Sequence, residues 1–229
     1  VAVLGLIGGM SWHASALYYQ RLNQQAERRY GEGATVEAVL VTLRFSELLA
    51  AAQVGDWEKV NGQIRMAAQR CVDAGANLLM ITAFTGHSAA AHLESNLPVP
   101  LVHAADALFE AVPAGACVGL LGTQFMLNAG VIEQRLREKG LTVVTPEASV
   151  ATRLNGAILD DLTSGNLSVL ARGSLVEAVA NVRALGASRV LLACTELPLL
   201  LDDMPPDPSL VDGVAAHVET ALNRMETLQ

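Results

Sequence analysis

The sequence lacks what would build a disulfide scaffold, a metal cluster or a nucleic-acid surface. It has three cysteines, Cys71, Cys117 and Cys194, far apart, odd in number and without CxxC spacing. They exclude a disulfide framework and a cysteine metal knot, and they suit a reducing, cytoplasmic setting. Charge is sparse, at 17%, and leans acidic: 15 Lys and Arg stand against 23 Asp and Glu, a net charge of −8. Such a surface repels phosphate backbones, so no nucleic-acid partner is expected, although a local basic pocket for a small carboxylate remains open. No apolar run approaches the ~20 residues that cross a bilayer, so no membrane partner is expected. The opening Val1-Ala2-Val3-Leu4-Gly5 lacks a basic leader and reads as a first strand rather than a signal peptide. Gly5-Leu6-Ile7-Gly8-Gly9 does not complete GxGxxG, and P-loop, GxSxG and HExxH patterns are missing. Nothing asks for a nucleotide, flavin or pyridoxal cofactor. His13, His92, His103 and His217 show no ligand spacing, so no metal is expected.

What is present is a large apolar content, 52% of 229 residues with mean hydropathy +0.36. That is enough for one large or two small cores. Apolar runs at 3–7, 39–43, 78–82, 118–121, 142–144 and 190–193 alternate with helical patterns, such as 11–29 and 57–74. The alternation predicts parallel sheets covered by helices on both faces. Pro98-Val99-Pro100 and Pro205-Pro206-Asp207-Pro208 punctuate the chain as two crossings. The expected layout is an N-terminal domain of residues 1–98 plus 209–229 and a second of 99–208. The segment from about Val211 is expected to be helical and to return to the first.

The chain also repeats itself. Gly5-Leu6-Ile7-Gly8-Gly9 resembles Gly119-Leu120-Leu121-Gly122-Thr123, and Gly75-Ala76 before a strand resembles Gly186-Ala187 before another, at nearly the same separation. The seventh residue after Ala76 is Ala83, and the seventh after Ala187 is Cys194. Ala83 and Cys194 are therefore expected at equivalent strand ends. The predicted fold is two pseudo-symmetric three-layer α/β/α domains with parallel sheets and an active-site cleft between them.

Ligands of open parallel sheets bind beyond the carboxyl ends of strands. Four segments qualify: Gly8-Gly9-Met10-Ser11, Ala83-Phe84-Thr85-Gly86-His87, Gly122-Thr123 and Cys194-Thr195-Glu196. Each precedes a helical pattern whose first amides suit a carboxylate. At a helix N-terminus the Cys194 thiol is expected to fall below its usual ~8.5, fit to act as nucleophile or proton carrier. A small buried core residue is the plainer reading of the same cysteine. Cys71 and Cys117 read as core. His87 either orients a ligand or shares a proton, or it caps a turn. Glu196 either orients the thiol or is a first-turn acid. Arg44 and Arg153 either clamp a carboxylate bidentately or form surface ion pairs.

Taken together, Gly5-Leu6-Ile7-Gly8-Gly9-Met10-Ser11-Trp12 with Tyr18-Tyr19, Gly55-Asp56-Trp57, Gly119-Leu120-Leu121-Gly122-Thr123 and Cys194-Thr195-Glu196-Leu197-Pro198 resemble the aspartate/glutamate racemases over nearly the whole chain. The resemblance implies two α/β domains, no cofactor, a small carboxylate-bearing substrate and a homodimer. It further implies two thiols on opposite faces of the substrate α-carbon, one removing a proton and the other returning it. Cys194 matches the second cysteine. Thr85 and His87 match a Thr and a His of the first motif, and Gly122-Thr123 a backbone-and-hydroxyl substrate contact. Arg153 stands where related sequences tend to have a carboxylate-holding Lys. Gly9, Met10, Ser11, Arg44, Phe84, Thr195 and Glu196 complete the candidate substrate contacts.

This chain departs from the family at two further matched positions. The first cysteine position is Ala83, and the family's next Asn is Phe84. Thr82, one residue earlier, should point the opposite way along the strand. It and His87 are the candidate proton-transfer helpers. Three readings follow. The first is a racemase-type isomerase using Cys194. The second is a one-thiol lyase of malonate-like acids, as in the related arylmalonate decarboxylases, which keep only the second cysteine. The third is a binding protein that kept the site and lost turnover.

Overall fold

The computed structural model describes residues 2–228, the side chain of Asp203 excepted, so both chain ends of the expected N-terminal domain, Val1 and Gln229, lie outside it. The chain divides into two compact units, Val1–His103 with His217–Gln229, and Ala104–Ala216.

The first domain holds β1 (Leu4–Gly8), α1 (Trp12–Tyr30), β2 (Ala38–Thr42), α2 (Phe45–Gln53), α3 (Trp57–Asp73), β3 (Leu78–Ile81), α4 (Ala90–Asn96) and β4 (Leu101–Val102). All its strands are parallel, in the order β2-β1-β3-β4. β1 and β3 are buried at every residue, so both faces of the sheet are covered. Two glycines show how. A side chain at Gly5 would strike Cys71 of α3, and one at Gly8 would strike Ser15 of α1. Residues three apart on a strand point to opposite faces, so α3 lies on one face and α1 on the other. Ser11 caps α1 by accepting the Ala14 N–H at 3.2 Å. The buried stripe of α1, Ala14, Ser15, Tyr18, Leu22 and Ala26, keeps helical spacing. Ile7, Ile64, Leu79 and Ile81 anchor the core with Cys71. Each such aliphatic side chain contributes about 2 kcal/mol by leaving water.

The second domain holds α5 (Ala104–Glu110), β5 (Cys117–Leu121), α6 (Gln124–Ala129), α7 (Val131–Glu138), β6 (Thr142–Val144), α8 (Ala148–Gly156), α9 (Val169–Ala184), β7 (Arg189–Leu192) and β8 (Leu210–Asp212). Its strands are parallel in the order β6-β5-β7-β8, the same arrangement as in the first domain. The correspondence extends to single residues. A Cβ at Gly119 would strike Val182 of α9 and approach Ala187, as one at Gly5 would strike Cys71 and Ala76. Both strands thus need glycine so that a helix can close onto them.

Differences from the sequence reading fall at short elements. β4 and β8 were not anticipated. The segment at Val211 is strand, paired with Leu191, and the helix α10 (Gly213–Thr227) starts two residues later. The units change over at residues 103/104 and 216/217 rather than at the proline clusters, because β8, which follows Pro205–Pro208, is still an edge strand of the second sheet. Cys71 is core, as expected, whereas Cys117 is only half-buried.

Candidate active site

The ends of β1 and β3 bring the first group of candidates together. The Thr82 N–H donates to the Ile7 carbonyl at 3.0 Å, which sets the two strand ends side by side. Beyond β1 the chain turns at Gly9, whose φ of +91° and close approach to the Leu43 backbone admit only glycine. The Gly9 N–H donates to Ser15 Oγ at 2.8 Å, and Ser15 donates to the Ser11 carbonyl at 3.1 Å. Thr82 lies 3.1 Å from Ser15 Oγ and donates to the Ile7 carbonyl at 3.3 Å. The Thr82 hydroxyl is therefore spent on the α1 side of the sheet, as strand alternation required. Met10 packs against Gly86, so the loop after β1 touches the turn after β3.

That turn carries Ala83 and Phe84, both buried, then a 3-10 turn at Thr85–Ala89. Thr85 is half-buried. His87 is fully buried and donates from Nδ1 to the Ala83 carbonyl at 3.0 Å, which fixes the backbone at Ala83. Its ring lies 4.8 Å from that of His103 and 5.6 Å from that of His217, with Phe84 against His217 at 6.4 Å. His217 donates from Nε2 to the Val102 carbonyl at 2.8 Å and accepts from the Tyr18 hydroxyl at 3.0 Å. This buried imidazole cluster escaped the sequence reading because its members come from three distant segments. Among the described residues no group of three or more His, Cys, Asp or Glu can hold a metal.

In the second domain the Ala193 N–H donates to the Leu121 carbonyl at 2.7 Å, the counterpart of the Thr82–Ile7 bond. Thr82 thus corresponds to Ala193, and Ala83 to Cys194. Gly122 lies against the Ala193 carbonyl, where a Cβ would come within 2.7 Å. Thr123 caps α6 by accepting the Met126 N–H at 3.2 Å. Cys194, Thr195 and Glu196 are 5%, 5% and 6% exposed. One carboxylate oxygen, Glu196 Oε2, accepts from Cys194 Sγ at 3.2 Å and from Thr195 Oγ1 at 2.5 Å.

Two expectations are reversed here. The Cys194 thiol is pushed well above its ordinary range, not below it. Burial is the largest cause and the neighbouring Glu196 charge the next, and together they outweigh the Glu196 and Leu197 amides that point at the sulfur. Arg153 also differs: its Nε and Nη2 grip Glu177 at 2.9 and 2.5 Å, so its fork already holds a carboxylate of the chain itself. Arg44 is 84% exposed and pairs with Glu47 at 3.1 Å. Both arginines take the surface-pair alternative.

The fold and this thiol–carboxylate corner define a class: two-domain α/β proteins built by repetition of one parallel-sheet unit, with a cysteine at a strand end of the second unit. The sequence profile of the family described as Asp/Glu/hydantoin racemase matches residues 7–221, and the chain belongs to that family. It is similar to a provisional Asp/Glu racemase of Yersinia pestis, at 29% identity and a TM-score of 0.86, over 100% of both chains. It is also similar to an aspartate racemase homologue of Pyrococcus horikoshii, at 26% identity and 0.84, over 99% of this chain and 100% of that one. The aspartate racemase of Picrophilus torridus shares the fold, at 18% identity and 0.74, over 99% and 95%. Among the described residues no helix is long and apolar enough to cross a membrane.

Proposed function

We propose that the protein is a cofactor-independent isomerase that moves a proton at the α-carbon of a small acid, with Cys194 as the proton carrier. An acidic amino acid of the aspartate or glutamate kind is the first substrate class, taken from the relatives' descriptions. The observation that carries the reading is the Cys194-Thr195-Glu196 corner, a thiol hydrogen-bonded to a buried carboxylate at the end of β7. In this reading Gly9, Met10, Ser11 and Thr85 on the first domain, and Gly122 and Thr123 on the second, contribute substrate contacts.

A second reading is favoured by one specific observation. Ala83 occupies the rung equivalent to Cys194 and carries a methyl group, which cannot move a proton. Loss of CO2 from a malonate-like acid leaves its bonding electrons on the α-carbon as an enediolate. The Cys194 S–H bond then breaks as a C–H bond forms, and the thiolate recovers a proton from water. One thiol is sufficient for that sequence, and the phenyl ring of Phe84 in place of an amide suits a less polar acid.

The test is proton NMR in D2O with a panel of acidic amino acids and substituted malonates. Deuterium at the α-carbon with inversion, lost in Cys194→Ala, is the outcome expected of the isomerase. Release of CO2 with deuterium on one face only would replace that reading by the lyase. No turnover of any acid, with ligand affinity unchanged in Cys194→Ala, would sink both in favour of a binding protein.

A further inference from the structure

We propose that the open edge of β2 pairs antiparallel with the same strand of a second copy of this chain, joining two four-stranded sheets into one of eight. The inference stands apart from the reading of Cys194. The edge is defined by the hydrogen bonds on its other side. The Leu4 N–H donates to the Glu37 carbonyl and the Leu43 N–H to the Gly8 carbonyl, both at 2.9 Å. With the register of β1 on β2, these bonds turn Val39 and Val41 toward β1. The N–H and C=O of Ala38, Leu40 and Thr42 therefore face away from the sheet. Among the described residues nothing bonds these outward groups. β2 has five residues, whereas the other edge strands, β4, β6 and β8, have two, three and three. Its counterpart β6 is also guarded. Thr142 and Val144 turn toward β5, and Arg137 of α7 donates from Nη2 to the outward Val143 carbonyl. β2 carries no charge or proline that would protect it in the same way.

The edge itself selects a second copy as occupant, because its outward groups are symmetric about Leu40. A two-fold axis there sets Leu40 opposite Leu40 of the partner subunit, and Ala38 opposite Thr42 of the partner subunit. Every outward N–H then meets an outward C=O. Glu37 precedes the strand and Arg44 follows it, both exposed, so the same axis lays acid beside base at each end. Side chains extend the match. Val39 and Val41 pack into the α3 core, which turns Leu40 to the α1 face, where a Cβ at Gly8 would meet both it and Ser15. On α1, Trp12, Ala16, Tyr19 and Asn23 share one stripe. Asn23 accepts the Val36 N–H at 3.0 Å, just ahead of β2, so this stripe runs beside the open edge. Trp12, Tyr19 and Leu40 are 67%, 50% and 42% exposed. The two aromatics alone leave roughly 250 Å² in water, about a third of the ~800 Å² that each partner covers in a stable interface.

The test joins sedimentation with residue-resolved amide hydrogen exchange on the whole chain. Concentrated parent should sediment at about twice the 24.1 kDa chain mass and dissociate on dilution. The amides of Ala38, Leu40 and Thr42 should exchange about tenfold or more slower in the dimer than in the diluted chain. Those of Val39 and Val41, turned toward β1, should exchange slowly in both. Leu40→Lys puts a charge in the middle of the edge and should sediment as one chain, with the amides of Ala38 and Thr42 fast. Tyr19→Lys, on the helix stripe, should raise the dissociation constant about tenfold or more. Should Leu40→Lys not fold, Tyr19→Lys and the parent's own amides carry the comparison. A parent that stays one chain at every concentration overturns the proposal and leaves the edge to a different partner. A dimer whose outward amides exchange fast, or that neither variant weakens, overturns it as well. Its interface would then lie elsewhere, the exposed Val169 and Leu170 of α9 being one such place.

Discussion

A single hydrogen atom is all that fits as the side chain of residue 119. A Cβ there would stand 2.4 Å from Val182 Cγ2 and 2.7 Å from Val182 Cβ, and a β-branched side chain locked in a helix cannot swing aside. Gly119→Ala should therefore destabilise the second domain by about 1–3 kcal/mol, and the Gly119→Ala/Val182→Ala double variant should recover part of it. Thermal denaturation reads this as a drop of about 2–4 °C per kcal/mol. At the same scale the sequence placed Cys194 beyond a strand end but did not reveal its surroundings. The motif was legible because Cys-Thr-Glu follows a strand run. The direction of the thiol's shift was not, because it depends on burial and on Glu196 turning back two residues to face the sulfur. The Arg153 ion pair was hidden for a similar reason: its partner Glu177 is 24 residues away, on another helix.

Between elements, the second domain fastens α9 to the approach of β8 by a side-chain clasp. Arg183 bonds both Asp207 and Ser209, and Asp207 also accepts the Ser209 N–H at 3.0 Å and its hydroxyl at 2.7 Å. The Arg183 bond, first among these, holds the Asp207 carboxyl down at about 2. A depressed carboxylate adds stability above its unfolded value of ~3.9, and that stability disappears as pH falls through the folded value. The melting temperature of the parent should thus exceed that of Asp207→Asn by a constant margin above about pH 5. The margin should shrink between pH 4 and 2; one that held or grew there would contradict the assignment. The same segment shows why β8 was missed. Its three residues are too few for a period-2 pattern, and Val211 continues smoothly into the apolar stripe of α10. β4 has two residues, between Pro100 and His103, and is a strand only because β3 offers it a hydrogen-bonding edge.

Across the whole molecule, the alternation of strand and helix and the internal repeat were the legible features, because both are carried by local apolar patterns. The imidazole cluster was not, since His87, His103 and His217 meet only after β3, β4 and α10 are assembled. The repeat makes the role of position 83 testable. Ala83→Cys should raise inversion of an amino-acid substrate about tenfold or more over the parent, measured by chiral chromatography, and should do nothing in a Cys194→Ala background. No gain with Cys194 intact would count against the equivalence of the two strand ends.

That equivalence also supplies the chain with its own reference sample. The bonds Thr82 to Ile7 and Ala193 to Leu121 mark the same rung of two ladders, so each position beside one has a numbered twin beside the other. A probe placed at both Ala83 and Cys194 in turn would report two environments at matched strand ends, with the same temperature and solvent history. The polypeptide thus carries its own internal contrast, a methyl at one twin and a thiol at the other.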